Sequence, residues 1–309
     1  MEILVSGSIA YDRIMDFSGK FSEHIVVDEI DNINVSFMVN GLKENFGGTA
    51  GNISYCLALL GEQPRTLATI GHDHHRYLQW FTENGLSISD IRIIEDEATA
   101  SAYITTDTSD NQITVFNPGA MKHQSSFDFS QIDPSQCIAI VAPGNLSDMM
   151  GFPAVHREQG IFTIFDPGQS LPAWGKTELL QCIEQSNILI SNNYEFAMIQ
   201  DRTELTSNQL IEQVETIITT KGEEGCEIKT QTGTNFIPAI PTDNAIDPTG
   251  AGDAFRGGLL KGLLNNLPVE RAAMMGTVCS HYVVQNLGTQ EYKFTQQEFE
   301  ATLIQHFGS

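Results

Sequence analysis

Basic residues are scarce in this sequence. Its 309 residues include 16 Lys and Arg against 39 Asp and Glu, which gives a formal net charge of −23. A surface with that excess of negative charge repels phosphate backbones, so nucleic acid is not expected as a partner. If the protein binds a phosphorylated ligand, backbone N–H groups, a helix N-terminus and metal ions must supply the local positive potential.

Cysteine pairs and long apolar stretches are missing as well. The five cysteines are scattered without a C-x-x-C motif, and they fit the small buried side chains of a protein in a reducing cytoplasm. No stretch approaches the ~20 apolar residues of a membrane span, and the N-terminus lacks the basic region of a signal peptide. We therefore expect a cytoplasmic protein that does not associate with membranes.

The order of predicted elements indicates an α/β fold with a doubly wound, mostly parallel sheet flanked by helices. Short apolar runs that end in polar, Gly or Pro residues alternate with helical segments, and the last third of the chain is helical. Asp73 is expected to cap the helix that carries Tyr77, Trp80 and Phe81. The predicted strands of the sheet lie at residues 3–5, 65–70, 138–141, 162–165, 188–191, 217–220 and 226–230.

Two pairs of alternating segments stand apart from this pattern. Residues 25–27 pair with 33–39, and residues 100–106 pair with 112–117, with no helix inside either pair. We predict two antiparallel hairpins that form a small β lid. The expected division of the chain is a large domain of residues 1–16, 46–97 and 119–309 and a lid of residues 17–45 and 98–118.

The nonapeptide DPTGAGDAF, residues 247–255, carries the sharpest chemical information. Gly250, Ala251 and Gly252 let the backbone approach a ligand closely, and a helix begins there whose N–H groups stabilise negative charge. Asp253 in its first turn could accept a proton from a substrate hydroxyl beside that anion hole. The alternative is a glycine-rich turn with a helix cap. The chain has no Walker A sequence and no G-x-G-x-x-G fingerprint, which argues against P-loop and dinucleotide chemistry.

Four motifs resemble those of the PfkB/ribokinase family. DPTGAGDAF resembles its carboxyl-terminal signature, and FGGTAGNIS at residues 46–54 resembles its amino-terminal one. Asn192-x-x-Glu195 is similar to the family's N-x-x-E motif, and TKGEEG at residues 220–225 is similar to its T-x-G-x-x-G segment. The motifs follow the family's order and span nearly the whole chain. The resemblance implies a ribokinase-like fold and transfer of a phosphoryl group from ATP to a small molecule.

Segments outside these motifs resemble bacterial adenosine kinases of the mycobacterial type. They are SGSIA at residues 6–10 with Asp12, NPGAM at 117–121, DPGQ at 166–169 and GTQE at 288–291. The resemblance implies that Asp253 deprotonates the 5′-hydroxyl of adenosine to give AMP, a reaction of purine salvage.

The same resemblance implies that Asp12, Gly48 and Asn52 bind the ribose hydroxyls. Asp12 follows the first strand, where open α/β sheets place ligands, and a carboxylate can accept hydrogen bonds from two adjacent hydroxyls. An Asx-turn at Asp12 and a helical Asn52 without a ligand are the alternatives. Ser8, Ser36, Phe37 and Gln169 would surround the base. Tyr103 and Phe116 would form aromatic walls or, alternatively, pack within the lid.

The nucleotide end is also implied by the resemblance. Thr220, Gly222 and Gly225 would contact ATP, and Asn192 and Glu195 would position Mg²⁺ through water, since Mg²⁺ keeps much of its hydration shell. The alternative for the last pair is a plain helix start. K⁺ is a further candidate cofactor, because the family often uses a monovalent cation.

Histidines and cysteines provide two patterns that we interpret structurally. Side chains of adjacent histidines at residues 72–75 point in different directions, so no shared metal is expected. Cys279 and His281 do not face each other on a helix, and we interpret them as packing or as lining of the adenine pocket.

Two other functions remain open from the sequence. One is a sugar kinase of the same family, which would share Asp253 and the ribose-binding residues. The other is a catalytically silent nucleoside-binding regulatory protein. A homodimer through the lids is expected to cover exposed strand edges.

Overall fold

The computed structural model describes residues 1–25 and 31–308. Over these ranges the strands are β1 (Glu2–Ser6), β2 (Ala10–Asp16), β3 (Lys43–Gly47), β4 (Arg65–Gly71), β5 (Ile91–Ile94), β6 (Ala100–Thr106), β7 (Gln112–Asn117), β8 (Cys137–Val141), β9 (Phe162–Phe165), β10 (Ile188–Asn192), β11 (Thr216–Thr220), β12 (Gly225–Thr230) and β13 (Gly233–Pro238). The α-helices are α1 (Thr49–Leu59), α2 (His75–Glu83), α3 (Leu146–Gln159), α4 (Lys176–Glu184), α5 (Asn193–Thr203), α6 (Ser207–Leu210), α7 (Ala251–Leu264), α8 (Val269–Val283) and α9 (Gln296–Phe307). None of the helices in the described ranges is long and apolar enough to cross a membrane.

Nine of the described strands form one sheet in the order β13-β12-β11-β10-β9-β8-β1-β4-β5. The strands from β11 to β5 in this order are parallel, and β12 and β13 add an antiparallel pair at one edge. Parallel strands covered on both faces are apolar throughout, and every residue of β8 is buried. The predicted doubly wound, ribokinase-like α/β fold is confirmed.

Helices cover both faces of this sheet. One face packs against α3, α4 and α5, and the other packs against α1, α7 and α8. Successive residues of β1 show the alternation, because Leu4 belongs to the first core and Val5 to the second. The carboxyl ends of the parallel strands remain open, where sheets of this kind bind ligands.

The second sheet is small and has the order β3-β2-β6-β7. The predicted pairing of residues 100–106 with 112–117 is confirmed as β6 and β7. The predicted first hairpin is wrong. Residues 33–38 form no strand, Val39 makes a single bridge to Phe17, and residues 26 and 27 lie outside the described ranges. Alternation alone does not make a strand when neither face is buried, and Ile33 and Met38 are 50% and 87% exposed.

The small sheet is completed by β2 and β3 instead. Residues 10–16 pair with β3 and with β6, so they belong to the small sheet and not to the large unit in which they were expected. Only residues 7–9 separate β1 of the large sheet from β2 of the small one. Strand β2 therefore connects the two sheets directly.

The starts of two helices bear on the site. Helix α1 begins at Thr49, so the glycine motif forms its first turn. Asp73 does not cap α2. Its Oδ1 instead accepts hydrogen bonds from the backbone N–H and the hydroxyl of Thr99, at 2.8 and 2.5 Å. Thr99 immediately precedes β6 and provides both donors.

Candidate active site

Helix α7 begins within the nonapeptide, as predicted. Gly250 is its N-cap residue with a φ of 82°, a left-handed conformation that glycine adopts without strain. A Cβ atom at this position would lie 3.0 Å from the side chain of Thr289, so the site is also tight. Asp253 occupies the first turn of α7.

The N–H groups at this helix start differ in availability. The N–H of Ala251 donates to the carbonyl of Pro248 at 3.1 Å, whereas those of Gly250 and Gly252 have no partner within the described residues. Of the three predicted anion-binding groups, two are therefore open to a ligand and the third is engaged by the turn. Free N–H groups at a helix N-terminus favour bound anions.

Asp253 is held by a residue of the other glycine motif. The Nδ2 of Asn52 donates a hydrogen bond of 2.7 Å to its Oδ2. The pKa of the Asp253 carboxyl is raised to about 6, chiefly because burial disfavours the charged form. The carboxylates of Asp166 and Asp12 act in the same direction, and Arg256 and the Asn52 hydrogen bond oppose them. A carboxylate with this pKa can accept a proton near neutral pH.

Asp12 lies on β2 and reaches the same region from the small sheet. Its pKa is raised to about 6, first by burial and then by the charge of Asp247. A Cβ atom at Gly47 would lie 2.5 Å from the Oδ2 of Asp12, so only glycine fits there. The first glycine of the pair therefore makes room for the carboxylate.

The second glycine of the pair, Gly48, has a φ of 89° and packs against backbone. A Cβ atom there would lie 2.6 Å from the carbonyl oxygen of Ser8 and 2.7 Å from the backbone nitrogen of Ala10. Ser8 is buried, and its Oγ accepts a hydrogen bond of 3.0 Å from the N–H of Thr49. Ser8 thus holds the start of α1, a role that the sequence did not reveal.

The two predicted aromatic walls lie on opposite faces of the small sheet. Directly paired residues of neighbouring strands point to the same face. Asp12 pairs with Ala102, and Ala102 pairs with Phe116, which therefore shares the face of Asp12. Tyr103 pairs with Arg13 on the other face, where the guanidinium donates to its hydroxyl at 2.7 Å. Strand alternation therefore turns Tyr103, the second predicted wall, away from the face of Asp12.

Phe37, which was predicted for the base end, is not brought together with Asp12. Phe37 packs against Phe17 and Phe21, with ring centroids 5.0 Å apart in both pairs. Phe17 follows the far end of β2, ~16 Å along an extended strand from Asp12. Ser36 is exposed, and Gln169 is exposed in a short 3₁₀-helix, Gly168–Ala173, after β9.

A cleft of about 820 Å³ lies on the other side of the α7 start. The predicted residues Thr220, Gly222 and Gly225 line it together with Ala251 and Gly252. His281 lines the same cleft, whereas Cys279 is fully buried in the core. Sequence reasoning missed the remaining walls, which belong to segments without a motif: Ala239, Ile240, Pro241, Thr242, Ala245, Ile246 and Val284.

Asn192 and Glu195 form a capping box at the start of α5. The N–H of each residue donates to the side chain of the other at 2.8 Å, which is the helix-start alternative considered above. Burial and the neighbouring Asp166 raise the pKa of Glu195. Asp166 forms a buried ion pair with Arg256, and its Oδ1 has no partner in the described part of the chain. Neither member of this pair was predicted as a site residue.

A partly buried carboxylate next to open helix N–H groups, on a helix whose first residues line a large cleft, suits the transfer of a phosphoryl group to a hydroxyl. Comparison with known proteins agrees. The model of the family described as "pfkB family carbohydrate kinase" matches residues 9–296. This chain belongs to that family, whose members are phosphotransferases acting on hydroxyl groups.

Several relatives can be compared over almost their full lengths. A nucleoside kinase of Methanocaldococcus jannaschii is 30% identical over 279 residues, which cover 86% of this chain and 90% of that protein. A structure of Burkholderia thailandensis nucleoside kinase in complex with inosine has a TM-score of 0.87 and 38% identity, and the match covers 99% of this chain and 98% of that one. The same kinase in complex with ADP-inosine has a TM-score of 0.85 at 38% identity, covering 99% and 96%.

Proposed function

We propose that this protein is an ATP-dependent nucleoside kinase that phosphorylates the 5′-hydroxyl of adenosine to give AMP. The observation that carries the proposal is the position of Asp253. Asp253 lies near enough to Asp12 for the charge of Asp12 to raise its pKa, and the preceding residue, Gly252, lines the cleft. The names of the M. jannaschii and B. thailandensis relatives support a nucleoside as acceptor.

The reaction follows from this geometry. The Asp253 carboxylate takes the proton of the acceptor hydroxyl, and the resulting oxygen attacks the γ-phosphorus of ATP. The bond from that phosphorus to the β-γ bridging oxygen breaks, and ADP leaves. The open N–H groups of Gly250 and Gly252 stabilise the charge on the transferred group, since they point to where a helix start binds anions.

The residues near α5 fit Mg²⁺. The Oδ1 of Asp166 is buried without a partner in the described chain. Glu195 lies close enough to Asp166 that, besides burial, the charge of Asp166 raises the Glu195 pKa. Oxygen donors in small number are what Mg²⁺ requires, because it retains several waters. Asp166 and Glu195 would hold the hydrated ion, with Asn192 orienting Glu195. Bound there, Mg²⁺ would neutralise negative charge on the nucleotide phosphates.

The acceptor end is built for a ribose and a base. Asp12 offers a carboxylate to the ribose hydroxyls, and Asn52 keeps one amide N–H in addition to the one it donates to Asp253. Phe116, 46% exposed on the Asp12 face, can stack on the base. Adenosine is the expected substrate. Inosine is the second candidate, because the B. thailandensis kinase is known in complex with it.

A substrate panel tests the proposal. ATP consumption is measured as kcat/KM for adenosine, inosine, guanosine, ribose and fructose under identical conditions. Adenosine is expected to give the highest value. A higher value for inosine would mean that the preferred substrate carries a different nucleobase from adenosine. A higher value for a free sugar would identify a sugar kinase. No turnover of any acceptor would identify a nucleoside-binding protein without kinase activity.

A further inference from the structure

A buried chain of polar side chains leads away from Asp253 on the side opposite the nucleotide cleft. Asn52 and Gln290 are 5% and 1% exposed, and Tyr77 is fully buried. The Nε2 of Gln290 lies 3.0 Å from the Oδ1 of Asn52 and 2.7 Å from the hydroxyl of Tyr77. The indole nitrogen of Trp80 lies 2.9 Å from the Oε1 of Gln290. The proposed reaction has so far used only Asn52 and Asp253 from this chain.

The two ends of the chain fix the direction of every hydrogen bond in it. The indole N–H of Trp80 can only donate, so the oxygen of the Gln290 amide must face it. The hydroxyl of Tyr77 donates to the carbonyl of Gly47 at 2.6 Å, so it accepts from Gln290. Both assignments give the Gln290 amide the same orientation, with its NH₂ group towards Asn52.

This orientation determines what Asn52 presents to Asp253. Because the Oδ1 of Asn52 accepts from Gln290, its NH₂ group faces the Oδ2 of Asp253. We propose that Gln290, oriented by the Trp80 indole, is a positioning residue for phosphoryl transfer, which holds the Asn52 amide so that its NH₂ group faces the catalytic carboxylate. The proposal rests on the proposed role of Asp253 as the base.

The chemistry of the base depends on this choice of amide face. An NH₂ group stabilises the ionised carboxylate and leaves Oδ1 of Asp253 to receive the proton of the acceptor. A reversed amide would place its carbonyl oxygen against the carboxylate, a contact that only protonated Asp253 can satisfy. Loss of the Gln290 donor therefore raises the pH at which the base becomes ionised.

The charged groups around Asp253 make no side-chain hydrogen bond to Gln290 in the described part of the chain. Arg256 lies on α7 itself, Asp12 reaches the site from β2, and Asp166 follows β9. Tyr77 approaches from α2, and Asp253 lies near enough to raise its pKa. A displacement of the pH profile in Gln290→Met, which introduces no charge, then reports on the Asn52 amide.

The decisive variants are Gln290→Glu and Gln290→Met. The introduced carboxylate can accept from Trp80 but cannot donate to Asn52, so it draws the Asn52 NH₂ group away from Asp253. The introduced thioether has no donor either. The pH profile of kcat is measured with whichever acceptor the unmutated enzyme turns over. We expect the acidic limb to be displaced upward by about one pH unit, so that kcat falls about tenfold on that limb and about twofold near pH 7. KM for the acceptor should stay within about threefold.

Two further variants give the test its controls. Trp80→Phe keeps a ring in the stack on Phe46 but removes the indole N–H, and a smaller displacement in the same direction is expected. Gln79→Glu, on the same helix and bonded only to Glu83 at the surface, should behave as the unmutated enzyme. Thermal unfolding identifies any Gln290 variant that fails to fold, and Trp80→Phe then decides the matter.

The outcome against the proposal is an acidic limb that coincides in all folded variants, even if kcat has fallen, because that pattern describes a purely structural residue. An Asp253→Asn enzyme with unchanged kcat would also overturn it, and would do so by removing the base itself. A substrate other than adenosine leaves the test intact, since the acceptor is taken from the panel.

Discussion

Asn52 and Asp253 are 201 positions apart in the chain, and the Nδ2 of the first donates to the Oδ2 of the second at 2.7 Å. The contact joins the first turn of α1 to the first turn of α7. The two glycine motifs of the sequence therefore form one site, with the amide of one holding the carboxylate of the other.

Substitution of the base should abolish turnover without abolishing binding. Asp253→Asn retains the shape of the side chain but cannot accept the proton, and kcat should fall by ~10²–10⁴. Dissociation constants for nucleoside and ATP, measured by calorimetry, should change little. In the unmutated enzyme kcat should decline below about pH 6, where the carboxyl becomes protonated. A variant with nearly normal kcat would exclude Asp253 from the mechanism.

The raised pKa of Asp12 predicts a pH-dependent stability. Because the folded protein binds this proton more tightly than the unfolded chain, with a pKa of about 6 against 3.8, the group stabilises the fold most below about pH 4 and loses that contribution as the pH rises through about 6. Asp12→Asn should therefore raise Tm by roughly 2–4 °C at about pH 7.5. The difference should disappear at about pH 4.

Scanning calorimetry at the two pH values measures this effect. Asp16→Asn is the matched control, because Asp16 lies exposed at the end of the same strand. Equal Tm differences at both pH values for Asp12→Asn would show that its carboxyl carries no burial penalty.

The small sheet allows a paired test of acceptor binding. Phe116 shares the face of Asp12, and Tyr103 lies on the other face against Arg13. Phe116→Ala should weaken adenosine binding about tenfold or more, since stacking on a base contributes roughly 1–3 kcal/mol. Tyr103→Ala should leave the dissociation constant within about threefold. The opposite ranking would mean that the nucleoside binds on the Arg13 face.

A homodimer through the small sheet is also predicted. Strand β7 is an edge strand whose six residues are all exposed, and Val115 is 63% exposed. Such edges are normally covered. Light scattering after size exclusion should give the mass of two chains, and Val115→Lys should give one. Ile304→Lys, a substitution at an exposed residue of α9, should remain dimeric. A single-chain mass for the unmutated protein would contradict the prediction.

The large sheet could be predicted from sequence because its strands are short apolar runs bounded by polar turns, as in β8. The start of α7 could be predicted equally well, because conformationally free glycines directly before a helical segment form a pattern that is local in the sequence. The pairing of β2 was not visible. Residues 33–39 have the better alternation, and only the burial of β2 between β3 and β6 decides against them.

Roles that depend on distant contacts also escaped the sequence. Gln290 lies in GTQE, a segment that stands out only because it resembles one of bacterial adenosine kinases. Nothing nearby in the chain indicates that Gln290 lies against Asn52 and Trp80. The same holds for Arg256, whose partner Asp166 is ninety positions away. Strand alternation, by contrast, is local. In the predicted hairpin of β6 and β7, Phe116 pairs with Ala102, and alternation along β6 then places Tyr103 on the face opposite to Phe116.

The three-residue link between β1 and β2 places the proposed acceptor site between the two sheets. Asp12 lies on the small sheet, and Asp253 lies on α7, which packs on the large one. In the proposed reaction the acceptor contacts both carboxylates at once, so the distance between them selects acceptors by length. A molecule of the correct length presents its terminal hydroxyl to Asp253 while its other hydroxyls bind Asp12 on the small sheet. A shorter molecule, or water, contacts only one of the two carboxylates and leaves the other without a partner.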